Sequence, residues 1–428
     1  MPRLAVPRSP ARPRDRRRRV AAGMAVAAAL AATGCSSSQP GTHVPTAGSP
    51  TPASGSGGAA GPGTGAALDV QVLTRGISHG WDVGFLPDGN LLVSERGGRF
   101  VVADPRRAPD QPRAVEGDLS QVYARGEGGL LGFVLHPDFA TSGLLTACLD
   151  HAEGGAPVDV RLVTYRLSTA GSNGARRIER VKDLLTGLPI NPSGRHSGCR
   201  PTIAADGALV VGTGDTANGA LPQDRGSLGG KTLRLDLTTG QPAAGNPFAS
   251  AGNPKERYVY TYGHRNVQGV AVQPGTGALY SVEHGPDRDD EVNRLKAGAN
   301  YGWDPAQGGT RGGYDESVPM TDLKRFPDAV PAVWSSGDPT LATSGAAFVA
   351  GSEWGPYDGA LAVTALKASK LLFLRVGADG KVTSVTVPKE LDGTYGRLRA
   401  ARVGPDKALY VTSSNGDGDV LVRITRKP

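Results

Sequence analysis

The chain has 428 residues, 38% of them hydrophobic and 5% aromatic, with a formal charge of +7. Spread evenly, such a charge would suggest a polyanionic partner. It is not spread: residues 1–34 hold eight arginines against one acid, Asp15, so the leader carries the whole excess. The rest is neutral, which excludes nucleic acid as a partner held by a basic surface.

The leader arginines are followed by an apolar run from Val20 to Ala32 and then by Ala32-Thr33-Gly34-Cys35. That run falls short of the roughly 20 residues a bilayer span needs and suits the core of a secretory signal. Small residues ending in cysteine resemble a bacterial lipobox, with Ala32 where leucine is usual. Residues 1–35 are therefore expected to be a signal peptide, with a lipid on Cys35 anchoring the protein to the membrane of a bacterial cell envelope, outside the cytoplasm. An ordinary signal cleaved nearby is the other reading, and the paired arginines leave general and twin-arginine export both open. Residues 36–67 are almost wholly Ser, Pro, Gly, Thr and Ala. They cannot bury enough apolar surface to order themselves and read as a disordered linker.

From residue 68 to 428 one phrase recurs: an apolar run, a Gly/Pro/Asp turn, a second apolar run. It stands at 82–95, 131–150, 201–215, 269–285, 345–366 and 401–414. Short runs joined by Asp-Gly or Pro-Gly turns are hairpin signals, and no sustained helical period lies between them. Six copies predict an all-β domain, a six-bladed β-propeller with a central funnel. Spacings of about 60 residues exceed the 40–50 of compact propeller repeats and call for long loops.

Several stretches carry residues of chemical interest. "GISHG" (76–80) fits a serine-nucleophile pattern but lacks the strand-turn-helix setting that pattern needs. In "HSGCRPTIAADGALVVGTGD" (196–215) a hairpin would return Asp215 to His196, which suits a general base near neutral pH or a structural hydrogen bond. Arg265 and Asn266 stand where a blade begins. The acids Asp287, Asp289, Asp290 and Glu291, with Tyr301 ten residues on, suit a hard cation or a solvated loop. Arg397-x-Arg399 on a strand would put both guanidiniums on one face; with Lys367 they call for a polyanion if that face lines the funnel, and otherwise are ordinary surface charges. "NGDGD" (415–419) lacks the full calcium-loop spacing and reads as a surface turn. Cys148 and Cys199, the cysteines beyond the leader, are expected to pair in an exported protein; two separate buried thiols are the alternative.

"GEGGLLGFVLHPDF", "GHRNVQG", "EHGPDRDDE" and "AGANYGWD", in that order, resemble the glucose/sorbosone dehydrogenase family of pyrroloquinoline-quinone (PQQ) dependent aldose sugar dehydrogenases, from about residue 70 to 425. The resemblance implies an enzyme, a six-bladed propeller that oxidises the C1 hydroxyl of an aldose sugar to the lactone and passes electrons to an acceptor outside the cytoplasm. It implies that His196 is the base, Asp215 its partner acid, and Arg265 and Asn266 neighbours of the quinone, with Arg265 stabilising charge there. Lys367, Arg397 and Arg399 would hold the PQQ carboxylates. Glu291 and Tyr301 would be calcium ligands, and Gly285 and Pro286 would offer carbonyls to a cofactor-bound calcium. Glu127 stands where the family has a cofactor-touching glutamine, so on charge alone Glu127→Gln should leave PQQ affinity unchanged or raise it. Val267, Cys199 and Ala400 stand where proline, glycine and aspartate are usual. A sugar- or glycan-binding propeller without turnover, and a metal-dependent lactonase, are the alternatives.

Overall fold

The computed structural model describes residues 65–170, 175–306 and 313–428, so the expected signal peptide, Cys35 and almost all of the expected linker lie outside the described residues. Six antiparallel sheets of four strands each make six blades, and the α-helix among the described residues is the single turn Phe139–Ser142. The innermost strands are Gly80–Phe85, Leu130–Leu135, Gly198–Ile203, Val267–Val272, Thr343–Phe348 and Leu398–Val403. The six repeated phrases supply the innermost strand of each blade and its neighbour, as the hairpin reading expected. The excess length sits mainly between outer strands, at residues 236–258 in blade 3 and 295–333 in blade 4.

Closure comes from the two ends of the domain. Strand Leu68–Ser78 pairs antiparallel with Asp417–Arg426, with Leu68 opposite Arg426 and Ser78 opposite Asp417, and completes blade 6. The ring thus ends in paired hydrogen bonds rather than in open edges.

Crowding at the axis selects small residues. A Cβ on Gly269 would lie 2.4 Å from the Ser344 carbonyl, and one on Gly345 would lie 2.5 Å from that of Arg399, so these inner strands accept only glycine at the points where neighbouring blades touch. Apolar wedges fill the space between blades. Leu131, Cys148 and Val160 of blade 2 pack with Leu209, Val211 and Leu233 of blade 3 and with Trp81 of blade 1. A disulfide between Cys148 and Cys199 ties these blades together, with a Cα–Cα distance of 6.2 Å.

Midway along the axis lies a buried ion cluster. Arg402 donates Nε to Asp82 Oδ1 at 2.9 Å and a terminal nitrogen to Oδ2 at 2.7 Å, while Arg200 approaches Oδ1 at 2.9 Å. Burial opposes a charge on Asp82, but the two guanidiniums outweigh it and hold its pKa below the usual carboxylate value. This cluster floors the funnel.

Candidate active site

The blade 3 hairpin does what its spacing promised. Gly198 pairs with Thr213, which brings His196 and Asp215 together at the funnel end with Nδ1 2.7 Å from Oδ1. Asp215 also accepts from the Ala217 N–H, from Trp303 Nε1 at 2.8 Å and from the Tyr314 hydroxyl at 2.8 Å. Burial resists its ionisation, but His196, Arg265 and the Trp303 donor prevail and keep its pKa below the ordinary value. An ionised Asp215 assigns the proton of His196 to Nδ1 and leaves Nε2 an acceptor, in long contact with an Arg195 nitrogen 3.5 Å away.

Arg265 and Asn266 are delivered by the next blade. Asn266 bridges to Gly214, and the Asp215 N–H donates to the Arg265 carbonyl at 2.7 Å. The buried Arg265 guanidinium donates to the His284 carbonyl at 2.7 Å and to Glu316 at 2.6 Å, and its Nε has no partner. Glu316 also binds Arg195 at 3.0 Å. Above these groups opens a cavity of about 620 Å³ whose lining includes Arg195, Arg265, Pro286, Arg288, Tyr314 and Glu316.

The expected cations are unequal. Lys367 and Arg397 are exposed, at the funnel ends of blades 5 and 6, whereas Arg399 is buried. Arg399 gives one terminal nitrogen to Gln268 Oε1 at 2.8 Å and leaves Nε unpartnered. Burial brings its pKa down to about 9; Glu127 is the counter-charge, while Arg200, Arg397 and Arg96 repel it. Arg-x-Arg therefore places one guanidinium in the funnel wall and one at its rim. Excess positive charge and an unsatisfied buried N–H are what a tricarboxylate such as PQQ would answer, so the residues present fit it.

The expected calcium ligands divide. Glu291 is buried beside Glu283, and burial together with that neighbour pushes its pKa up to about 8. It accepts from Thr321 and Asn293, and Asn293 Oδ1 is buried without a partner, which makes an oxygen-rich setting suited to a cation. The Tyr301 side chain does not join it through its hydroxyl, which donates to the Arg294 carbonyl at 2.7 Å and accepts from the Lys296 N–H, while the ring stacks on His264. Any ligand from Tyr301 would have to be its carbonyl. Pro286 lines the cavity, and the Gly285 carbonyl already accepts from His284 Nδ1 at 2.6 Å. Asp290 is a structural acid: it accepts from the N–H groups of Gly285, Leu341 and Ala342 and pins that loop.

Trp303, Tyr314, Glu316, Gln268 and Arg96 also belong to the site; Gln268 and Trp303 stand inside "GHRNVQG" and "AGANYGWD" without a role that the sequence assigns them, and no motif signals the other three. Three of the five come from the long blade 4 loop folding back over blade 3, a contact invisible to local spacing. Ser78 ends a strand and gives its hydroxyl to Asp417 at 2.9 Å, with another strand following, so no nucleophile elbow exists there. Asp419 in "NGDGD" accepts from Ser413, Asn415 and Gly416 and holds a turn.

The family model for glucose/sorbosone dehydrogenases matches residues 77–423. A PQQ-bound aldose sugar dehydrogenase from Streptomyces coelicolor superposes with a TM-score of 0.67 at 29% identity, covering 85% of this chain and all of that one. The aldose sugar dehydrogenase of Escherichia coli is 29% identical over 358 residues, 83% of this chain and 92% of its own. Quinoprotein glucose dehydrogenase B of Acinetobacter calcoaceticus is 29% identical over a shorter stretch, 51% of this chain and 48% of its own. With the matched residues running through all six blades, the chain belongs to the glucose/sorbosone dehydrogenase family.

Proposed function

We propose that the chain is a PQQ-dependent aldose sugar dehydrogenase that oxidises the C1 hydroxyl to the lactone. The observation that carries this is a histidine backed through Nδ1 by a buried carboxylate, its Nε2 held only by a long 3.5 Å contact from Arg195, beside guanidiniums that lack enough negative charge. Arg399 in the wall, with Arg397 and Lys367 at the rim, would hold the carboxylates of the cofactor. Bound there, PQQ would supply an electrophilic quinone able to accept hydride from the sugar's C1. His196 takes the hydroxyl proton at Nε2, Asp215 stabilises the imidazolium that results, and Trp303 and Tyr314 keep Asp215 ionised and fixed. Arg265, whose Nε–H has no partner, would stabilise the negative charge that builds up in the reaction. A propeller that only binds glycans has no use for this buried acid–histidine pair.

Calcium on the Gly285 and Pro286 carbonyls, and a second ion near Glu291, belong to the same proposal, as do export, the lipid on Cys35 and an electron acceptor outside the cytoplasm. The test is to add PQQ, with and without calcium, to the purified domain and follow dye reduction over a panel of aldoses. Reduction that needs both PQQ and sugar supports the reading; PQQ binding with no turnover of any sugar refutes it. For the anchor, Cys35→Ala should move the protein from the membrane fraction to the soluble one.

A further inference from the structure

We propose that Glu127 is a positioning residue for His196, an acceptor-only carboxylate that holds the histidine's backbone and two funnel amides in a single arrangement. Its kinetic arm rests on the dehydrogenase reading above. Three donors converge on this side chain: Oε1 accepts from the His196 N–H, and Oε2 accepts from Gln268 Nε2 at 2.7 Å and from Asn266 Nδ2 at 3.2 Å. Neither amide is free to turn around. Gln268 Oε1 is held by Arg399 at 2.8 Å and by the Ser344 hydroxyl at 3.1 Å, and Asn266 Oδ1 accepts the Gly198 N–H at 3.2 Å. Arginine donates and never accepts, so Gln268 has to point its NH₂ at residue 127.

The His196 backbone is where this matters. Its φ is +52°, in the left-handed region that side chains other than glycine rarely adopt, and its carbonyl lies 1.8 Å from where a Cβ on Gly214 would sit. A conformation of that kind persists only where its surroundings fix it. On one side Gly214 leaves room; on the other the Glu127 carboxylate ties the N–H. Burial opposes its ionisation, but the His196 N–H and the Arg399 guanidinium hold Glu127 below the ordinary carboxylate range, so it remains an acceptor on both oxygens.

Glutamine at this position would bring one NH₂ against existing donors, whichever way it turned. That reverses the charge argument: removing the negative charge relieves repulsion toward an anionic cofactor but breaks the tie to the base. Most of that complementarity can be rebuilt with the charge moved across to position 268, only Asn266 Nδ2 then facing a donor. In the double variant Glu127→Gln/Gln268→Glu, the carboxylate at 268 would accept from Arg399, Ser344 and the new amide at 127, whose oxygen would again take the His196 N–H.

The experiment compares wild type, Glu127→Gln, Glu127→Asp and the double variant, each assayed with PQQ and sugar and also as cofactor-free protein by thermal unfolding. Glu127→Gln should lose kcat by roughly 10-fold to 100-fold, the scale of a misplaced catalytic group, with the sugar KM little changed. Its cofactor-free protein should melt lower, and both the double variant and Glu127→Asp should recover part of kcat and of the melting temperature. Wild-type kcat in Glu127→Gln, or no recovery in either of the other variants, would overturn the proposal. Failure of wild type to oxidise any aldose would instead defeat the dehydrogenase reading, and the melting temperatures would still decide the role of Glu127.

Discussion

The two ends of the propeller axis enclose comparable spaces, about 620 Å³ at the funnel, lined by loops of blades 3 and 4, and about 480 Å³ at the opposite end, lined by the inner strands of all six blades. Their linings differ completely. The far chamber is faced by Val83, Phe85, Phe133, Val270 and Phe348, with Arg402 at its inner wall already spent on Asp82. The funnel carries a histidine whose Nε2 has only a long contact to Arg195, and two buried arginines, Arg265 and Arg399, each with an unpartnered Nε. Cavity size does not separate a site from a hole in the architecture. What separates them is whether the polar groups have finished their hydrogen bonding inside the protein.

The sharpest way to break this contrast is at the base. His196→Ala should cut kcat by roughly 10²–10⁴-fold, the usual worth of a positioned general base, while PQQ still binds through the other blades. Steady-state rates and a cofactor titration together check it. At the floor between the two spaces, Asp82→Asn should cost about 3–5 kcal/mol of stability, since it strands two buried cations. Denaturant unfolding measures that, and the sugar KM of the folded fraction should hold.

A smaller effect is expected in the funnel wall. Arg399→Ala should weaken PQQ binding by about 1.5–3 kcal/mol, the range for a hydrogen bond to a charged group. Lys367→Ala, at an exposed rim position, should weaken it less, and direct titration ranks the two. A pH-dependent effect on stability concerns Asp150, which is buried and bonded to Ser197 at 2.9 Å. Burial, with Glu127 adding to it, raises its pKa to about 8. A raised folded pKa stabilises the protein fully below the unfolded value near 4, and that stability is lost as pH climbs through 8. Wild type should therefore lose melting temperature between pH 5 and 9, and Asp150→Asn should show a flatter profile; equal slopes would count against a neutral Asp150.

Legibility from the sequence followed the range of the interaction. The six hairpins and the His196–Asp215 pair were readable because a two-stranded register is local: Gly198 opposite Thr213 is a consequence of the turn at Asp206-Gly207. Alternation along the blade 6 strand was a poorer guide, because Arg397 precedes the strand and Arg399 lies within it. Trp303 and Tyr314, 88 and 99 residues from the Asp215 they support, had no local signal of that role. Tyr301 followed the family pattern in position, yet its hydroxyl went to the nearest main-chain carbonyl and N–H, as an aromatic buried against them must arrange.

Blade 6 is stitched from both ends of the domain, and the direction of the stitching has a practical side. Inner strands run away from the funnel, so Leu68 and its partner Arg426 lie at the far end, while Ser78 and Asp417 lie near the mouth. Both ends of the described domain therefore emerge on the face opposite the funnel. A reporter, an electrode linker or a second domain fused at either end would leave the funnel open to solution, and joining the old ends by a short connector would let the chain be reopened in a loop between blades.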